Sequence, residues 1–311
     1  MEAVDTAGKF FAQSPKISFA DRLRTYWQIY CRHRNVLFNA KVMIDDHTNL
    51  RGYFNRYVNV PINTARLLEL GCGQTAVQTA LFRADGAHIT GIDTEIPSGK
   101  MNFQLFIRII RQNGAGRALR SLIRHVVFDG RLFSELSREY GRPVVCDGLD
   151  LRVMDAASMA FDSESFDFIY SKNVFEHLRD VPSAVRELLR VLKPSGVAVI
   201  CIHLFPSLSG GHCLEWANYW QPSKRVPPWD HLRENKHPAD IYLNKLTIQQ
   251  YREILQSFST VVEETTVEKG ENFLSKEIEA ELGGKGYSRH DLLTNTVTFV
   301  IRKKIPAAGN A

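Results

Sequence analysis

No run of apolar residues in this 311-residue sequence is long enough to cross a bilayer, because an acid, a base or an amide interrupts every candidate. The opening stretch, MEAVDTAGKFFAQSPK, carries Glu2 and Asp5 and lacks an apolar run followed by a small-residue cleavage site. It does not read as a secretory signal. Cysteine is scarce: Cys31, Cys72, Cys146, Cys201 and Cys213 are scattered, odd in number and never spaced as C-x-x-C. That usage argues against a disulfide framework and for a reducing compartment, so a cytoplasmic address is expected. Internal repeats and low-complexity tracts are also lacking, and residues 306–311, PAAGNA, read as a frayed tail.

What is present is the composition of an ordinary globular chain, 44% hydrophobic and 23% charged, long enough to bury a full core. The net charge of +5 is uneven. Between Lys100 and Arg142 nine bases face three acids, an excess larger than that of the whole chain. Such a segment can meet a phosphate, an acidic sugar or an anionic membrane surface, though a solvated helix face is the plainer reading than any one of those.

The hydrophobic pattern divides the chain. Residues 1–60 read as a helical, aromatic-rich extension, followed by the punctuation of Pro61 and Asn63. RLLELGCG is a short, nearly continuous apolar run ending in glycine, as a buried parallel strand would be. A helix is expected over Thr75–Arg83, then HITGID as a second strand. Residues 96–148 form an insertion with helical spacing in NFQLFIRIIRQ and RALRSLIRHV, broken by NGAG. LDLRVMDA and FDFIYSK resume the strand pattern. In DVPSAVRELLRVLKPSG, Asp180 can cap a helix and Pro182 suits its first turn. Val185, Leu188, Leu189 and Leu192 line one face, and Pro194 and Gly196 end it. VAVICIHLF is a fifth strand. Thr247 and Gln250 form a capping-box pattern before YREILQSF, and STVVEETTVE and NTVTFVIRKK are β-type. Alternating strands and helices predict a parallel sheet covered on both faces, with ligands bound outside the carboxyl ends of its strands.

Gly71-Cys72-Gly73 follows the first predicted strand, and Asp93, twenty residues beyond Gly73, ends the second. An acid at that distance can hydrogen-bond ribose hydroxyls, so a nicotinamide dinucleotide and S-adenosylmethionine both fit. Glu69 separates them. A carboxylate two residues before the first glycine repels a pyrophosphate but favours a sulfonium and an ammonium group.

LELGCGQT, GID, MDAASMAFDSESFDFIYSKNVFEHL and RELLRVLKPSGVAVI, in that order over residues 65–205 apart from the insertion at 96–148, resemble the class I S-adenosylmethionine-dependent methyltransferases. Thr75 stands where that family has a third glycine. The resemblance implies an α/β, Rossmann-like doubly wound and mostly parallel seven-stranded sheet. It would carry a helical N-terminal extension and a helical insertion after the second strand. The methyltransferase domain would span residues 61–305, and S-adenosylmethionine would be the cofactor. Glu69, Gly71 and Gly73 would flank its methionine moiety, Asp93 would bind the ribose, Asp155 and the Ala156 backbone the adenine. Ser171 would lie beneath it; a plain turn cap at Asp155 and a strand-end hydroxyl at Ser171 are the alternative readings.

Methyl transfer to a hydroxyl needs in-line positioning and is helped by a general base. His177, in FEHL, sits just past the fourth strand. The acceptor pocket is expected in residues 203–245, where His203 ends the fifth strand and His212 follows Gly210-Gly211. Asp230 and His231 offer an acid–imidazole pair beside Trp229. His212, Asp230 and His231 could instead hold a divalent ion, but their spacing fits no closed zinc motif and no metal is expected. His237 and His290 read as surface residues. The same segment resembles methyltransferases of bacterial polysaccharide and glycolipid pathways, which implies a small-molecule or glycan-like acceptor. Trp216, Tyr219, Trp220 and Trp229 would then stack on sugar faces or simply pack.

Oxygen methylation is the leading expectation. Carbon methylation of a quinone or lipid, with the basic insertion touching a membrane, is the second, and a methyltransferase-like module without chemistry the third. A nicotinamide oxidoreductase is disfavoured by Glu69. No nucleic-acid partner is expected, since SKNV stands where base methyltransferases carry an N-P-P-Y-like tetrapeptide.

Overall fold

Seven strands, β1 (Arg66–Leu70), β2 (His88–Asp93), β3 (Asp150–Val153), β4 (Phe166–Lys172), β5 (Leu192–His203), β6 (Ser259–Glu268) and β7 (Thr294–Lys303), form one sheet in the order β3-β2-β1-β4-β5-β7-β6. The computed structural model describes Trp27, Tyr30, Trp216, Ser223 and residues 34–95, 103–213, 225–239 and 241–304. Strands β1 to β5 run parallel, and β7 enters antiparallel between β5 and β6. The expected doubly wound, mostly parallel sheet is therefore present. The strand order reverses between β1 and β4, which opens a crevice at their carboxyl ends.

The central strands are apolar throughout because both faces are covered. Leu68, Leu70, Ile169, Ile200 and Phe299 pack under α6 (Val181–Val191) and α7 (Ile248–Phe258), through Val185, Leu188, Tyr251 and Leu255. On the other face Leu67, Phe168, Tyr170 and Val199 meet Leu50 and Phe54 of α1 (Val36–Tyr57) and Phe82 of α2 (Val77–Ala84). The caps form as expected: Asp180 accepts from the Ser183 amide at 2.9 Å, and Thr247 and Gln250 complete a capping box. Two boundaries differ from expectation. Ala76 is left-handed at φ 46°, so α2 begins at Val77 rather than Thr75. Helix α6 ends at Val191, and Leu192, Pro194 and Gly196 already belong to β5.

After β2 the chain folds into α3 (Phe103–Asn113), α4 (Ala115–Arg124), a π-helical turn (His125–Asp129) and α5 (Gly130–Tyr140). Asp85, just past α2, ties these layers together. Its carboxylate accepts from His47 at 3.0 Å and from the Tyr140 hydroxyl at 2.6 Å, with Arg51 at 3.1 Å. Burial opposes its ionisation, but those partners more than offset it and hold the carboxyl below its ordinary value. Helices α8 (Lys276–Gly283) and α9 (Arg289–Leu293) cover Trp216 and Trp229 near the end of β5. Among the described residues no helix is long and apolar enough to cross a membrane.

Candidate active site

At the carboxyl end of β1, Gly71 and Gly73 turn the chain with φ of 75° and 64°. The Gly71 and Cys72 amides donate to the Ile92 carbonyl at 2.8 and 3.0 Å. One Asp93 oxygen accepts from the Gly73 amide and the other from the Glu95 amide, both at 2.9 Å. Asp93 thus holds the glycine turn against β2 as well as standing at the crevice. A Cβ on Gly71 would overlap the Val174 methyls, whereas one on Gly73 would meet nothing within 4 Å.

Glu69 is buried at 7% exposure, and the Thr79 hydroxyl of α2 donates to it. Thr79 reaches it because Gly91, the register partner of Glu69 on β2, has no side chain. A Cβ there would stand 2.8 Å from the Thr79 oxygen. Burial pushes the Glu69 carboxyl up to about 7, and the Thr79 hydrogen bond offsets that only in part. Burial thus disfavours the ionised carboxylate, and a cation beside it would favour that form.

The other expected cofactor residues lie along the same edge. Asp155 is exposed beyond β3 and its carboxylate accepts from the Ala157 amide at 2.8 Å, the geometry of a turn cap; Ala156 is buried beside it. The Ser171 hydroxyl is buried and donates to the Leu70 carbonyl at 3.2 Å, joining β4 to β1 at the switch point. Gln74, next to the glycine turn, accepts from Ser121 at 3.2 Å and Arg124 at 2.8 Å, so the insertion closes onto the loop.

Beyond β4, a short 3-10 turn (Phe175–His177) brings Glu176 and His177 to the crevice. Glu176 is 2% exposed, and neither carboxylate oxygen meets a hydrogen-bond partner among the described residues. Burial pushes its carboxyl up to about 8. The Asn244 strap fixes this turn: its amide donates to the Glu176 carbonyl at 2.9 Å, and its side-chain nitrogen to the Phe175 carbonyl at 2.7 Å. His177 Nδ1 bonds the Tyr242 carbonyl at 2.9 Å.

His203 ends β5. Its Nε2 lies 2.8 Å from the Ser209 hydroxyl, which donates to Asn295 at 2.9 Å, so His203 is the donor of that pair. Gly210 and Gly211 then allow a turn no larger residue could make, since a Cβ would overlap the Leu204 and Phe205 carbonyls at 210 and the His231 ring at 211. The turn delivers His212, left-handed at φ 55°, with ring centroids 4.9 Å from both His177 and His203. Its Nε2 is buried without a hydrogen-bond partner among the described residues. Burial lowers His212 to about 3 and His203 to about 4, and lowers His177, so all three imidazoles are neutral at physiological pH.

A family model described as "Methyltransferase domain" matches residues 114–200, from α4 into β5. The chain carries a class I S-adenosylmethionine-dependent methyltransferase domain. It is an enzyme of methyl transfer, and S-adenosylmethionine is its cofactor. Among solved structures the methyltransferase is similar to the PH0226 protein from Pyrococcus horikoshii OT3. Identity is 14% over 90% of this chain and 99% of that one, with a TM-score of 0.46. It is also similar to the 1,6-didemethyltoxoflavin-N1-methyltransferase of Burkholderia thailandensis, solved with 1,6-didemethyltoxoflavin and S-adenosylhomocysteine. There identity is 13% over 94% of each chain, with a TM-score of 0.43.

On the acceptor side the structure corrects two expectations, the Asp230–His231 pair and a surface His237, and decides between the two readings of the tryptophans. Asp230 and His231 make no hydrogen bond to each other: the Asp230 carboxylate accepts from the His237 amide at 2.9 Å, and His231 Nε2 bonds the Phe205 carbonyl at 2.8 Å. Neighbouring positions on a tight turn point their side chains apart, so His231 packs against the Gly211 turn while Asp230 ties down its own turn through the His237 amide. Trp216 and Trp229 are buried, donating to the Val226 and Pro206 carbonyls at 3.1 Å each, and pack rather than present faces; Tyr219 and Trp220 lie outside the described residues. His237 is half-buried, whereas His290 is exposed as expected. Glu176 was not foreseen. Its only signal was adjacency to His177, because its burial depends on a strap far downstream.

Proposed function

We propose that the methyltransferase acts on a hydroxyl oxygen of a small-molecule or glycan-like acceptor. The observation that supports this reading is the convergence of His177, His203 and His212, all neutral, on the crevice that Gly71 and Val174 share. Bound S-adenosylmethionine supplies a methyl group on a sulfonium sulfur; transfer to a hydroxyl forms an O–C bond, breaks the S–C bond and leaves one proton to remove. Neutral imidazoles are the groups able to orient the hydroxyl and take that proton. Glu69, Gly71, Gly73 and Asp93 would hold the methionine and ribose, Asp155 and Ala156 the adenine, with Ser171 under them. Positioning of the reacting atoms can contribute about 7–11 kcal/mol.

Residues 34–60 and 103–148 would cover the pocket and exclude water; the rest of the expected extension and insertion, residues 1–33 apart from Trp27 and Tyr30 and residues 96–102, lies outside the described residues. Two contacts support this: the Lys172–Asp46 ion pair brings α1 to the end of β4, and Gln74 joins the insertion to the glycine turn. In a transfer assay with sugar, glycan-lipid and small hydroxyl acceptors, His212→Ala lowers turnover at least tenfold with S-adenosylmethionine binding retained; Asp230→Asn, which weakens only the bond to the His237 amide, lowers it less. Unchanged turnover in both variants would remove His212 from the chemistry.

A second reading, carbon methylation of a quinone or lipid, is favoured by one feature of the insertion. Phe103, Leu119, Ile123 and Val126 are exposed there, with Arg108 and Arg111 exposed on α3. Binding to anionic liposomes that is lost at high salt, with transfer to a lipid-soluble acceptor, would support it.

A further inference from the structure

Glu176, His177 and His212 each offer one ligand atom, and the three atoms lie within 4.8 Å of one another. Their surroundings are unusual for packed polar groups. Both Glu176 oxygens and His212 Nε2 are buried without a partner among the described residues. His177 Nδ1 faces the Tyr242 carbonyl, which can only accept, so Nδ1 carries the proton and Nε2 a lone pair. The three groups therefore converge with neither Glu176 oxygen nor His212 Nε2 bonded to another side chain, only the Glu176 and His203 backbone amides lying near the carboxyl, and buried polar side chains of native proteins are seldom left in that condition. A cation would satisfy all three at once.

We propose that Glu176, His177 and His212 bind one divalent first-row transition-metal ion at the acceptor side of the crevice. Two imidazoles and one carboxylate are a donor set that suits zinc, iron, cobalt or nickel better than magnesium or calcium, which prefer oxygen alone. Bonds of about 2.0–2.2 Å around one ion put ligand atoms at most about 4.2 Å apart, so small side-chain rotations close the set. The outer contacts are those such a site needs. Tyr242 fixes the His177 tautomer and Asn244 holds the Glu176 backbone, as carbonyl and amide partners do around metal-bound histidines. Val174, two residues before Glu176, packs on Gly71, so the site borders the cofactor turn.

Three protein donors leave coordination positions open, as in catalytic rather than structural sites. The role assigned to those positions rests on the hydroxyl reading above: an acceptor oxygen bound there becomes more acidic and is fixed in place. His203 lies outside the donor set. With its Nε2–H committed to Ser209, it keeps a lone pair on Nδ1 that can take the hydroxyl proton.

The full chain, stripped with a chelator and dialysed, is titrated with Co2+ and followed by its visible absorption, then challenged with Zn2+ in a calorimeter. One Co2+ per chain with a nitrogen-and-oxygen spectrum, displaced by Zn2+, is expected. Glu176→Gln and His212→Ala each weaken binding tenfold or more, while S-adenosylmethionine binding and the melting temperature report that they fold. His290→Ala, exposed and remote, binds as the unaltered chain does. No Co2+ uptake at several-fold excess, or equal uptake by both site variants, overturns the proposal. Transfer to a hydroxyl by a chain that takes up no ion would likewise overturn the ion site while leaving the oxygen reading intact. Ion uptake by a chain that methylates only carbon or nitrogen would support the ion site and refute that reading.

Discussion

The Thr79 hydroxyl on α2 reaches the Glu69 carboxylate on β1 across the bare backbone of Gly91 on β2. The bond orients the carboxylate without neutralising its need for a cation, and two predictions concern that need.

Glu69, pushed up to about 7 by burial, is ionised above that pH and protonated below it. A bound cation favours the ionised form, so affinity for S-adenosylmethionine rises with pH. With that pKa, the ionised fraction is about tenfold smaller at pH 6 than at pH 8, and calorimetry should give an affinity about tenfold weaker. Glu69→Gln binds weakly at both and loses the dependence.

The same shift has the opposite sign for stability of the cofactor-free chain. The native state holds this proton to higher pH than the unfolded chain, whose carboxyl titrates near 4.5. The contribution of Glu69 is therefore most favourable below 4.5 and is lost as pH rises through about 7. Glu69→Gln should lower the loss of melting temperature between pH 5 and pH 8 in the absence of cofactor.

Gly71→Ala and Gly73→Ala separate two reasons for glycine. Both have positive φ, costing about 1 kcal/mol in alanine, but only at 71 does a Cβ also collide with Val174. Overpacking adds about 1–3 kcal/mol, so Gly71→Ala should melt several degrees below Gly73→Ala and bind cofactor more weakly.

Asp85→Ala removes the acceptor shared by His47, Arg51 and Tyr140. Leaving those groups unpaired should cost about 3–5 kcal/mol, seen as a lower denaturation midpoint and faster proteolysis between α1 and α5. Asp85→Asn, which keeps the shape, should cost less.

Gly211→Ala tests the support of His212. The added methyl displaces the His231 ring and hence the turn. Turnover should fall at least tenfold while cofactor affinity changes less than twofold.

Much of the fold could be read directly. A short buried run ending in Gly71 forms a parallel strand wherever it packs, and Asp180, Pro182, Thr247 and Gln250 act on the helix turn they begin. Each depends on neighbours within a few residues. The boundary errors at Thr75 and Leu192 arose where a left-handed residue and an early strand pairing overrode helix propensity.

By itself, then, the sequence determined the order of the elements, the glycine turn and the acid before it, because periodicity and local backbone demands are written in adjacent residues. Tertiary structure alone decided that β7 slips between β5 and β6, that Asp230 turns from His231 to the His237 amide, and that Glu176 joins His177 and His212. Those outcomes turn on which distant groups are buried together and which are left without a partner. Burial and hydrogen bonding are properties of neighbours in space, and only the folded chain brings those neighbours into contact.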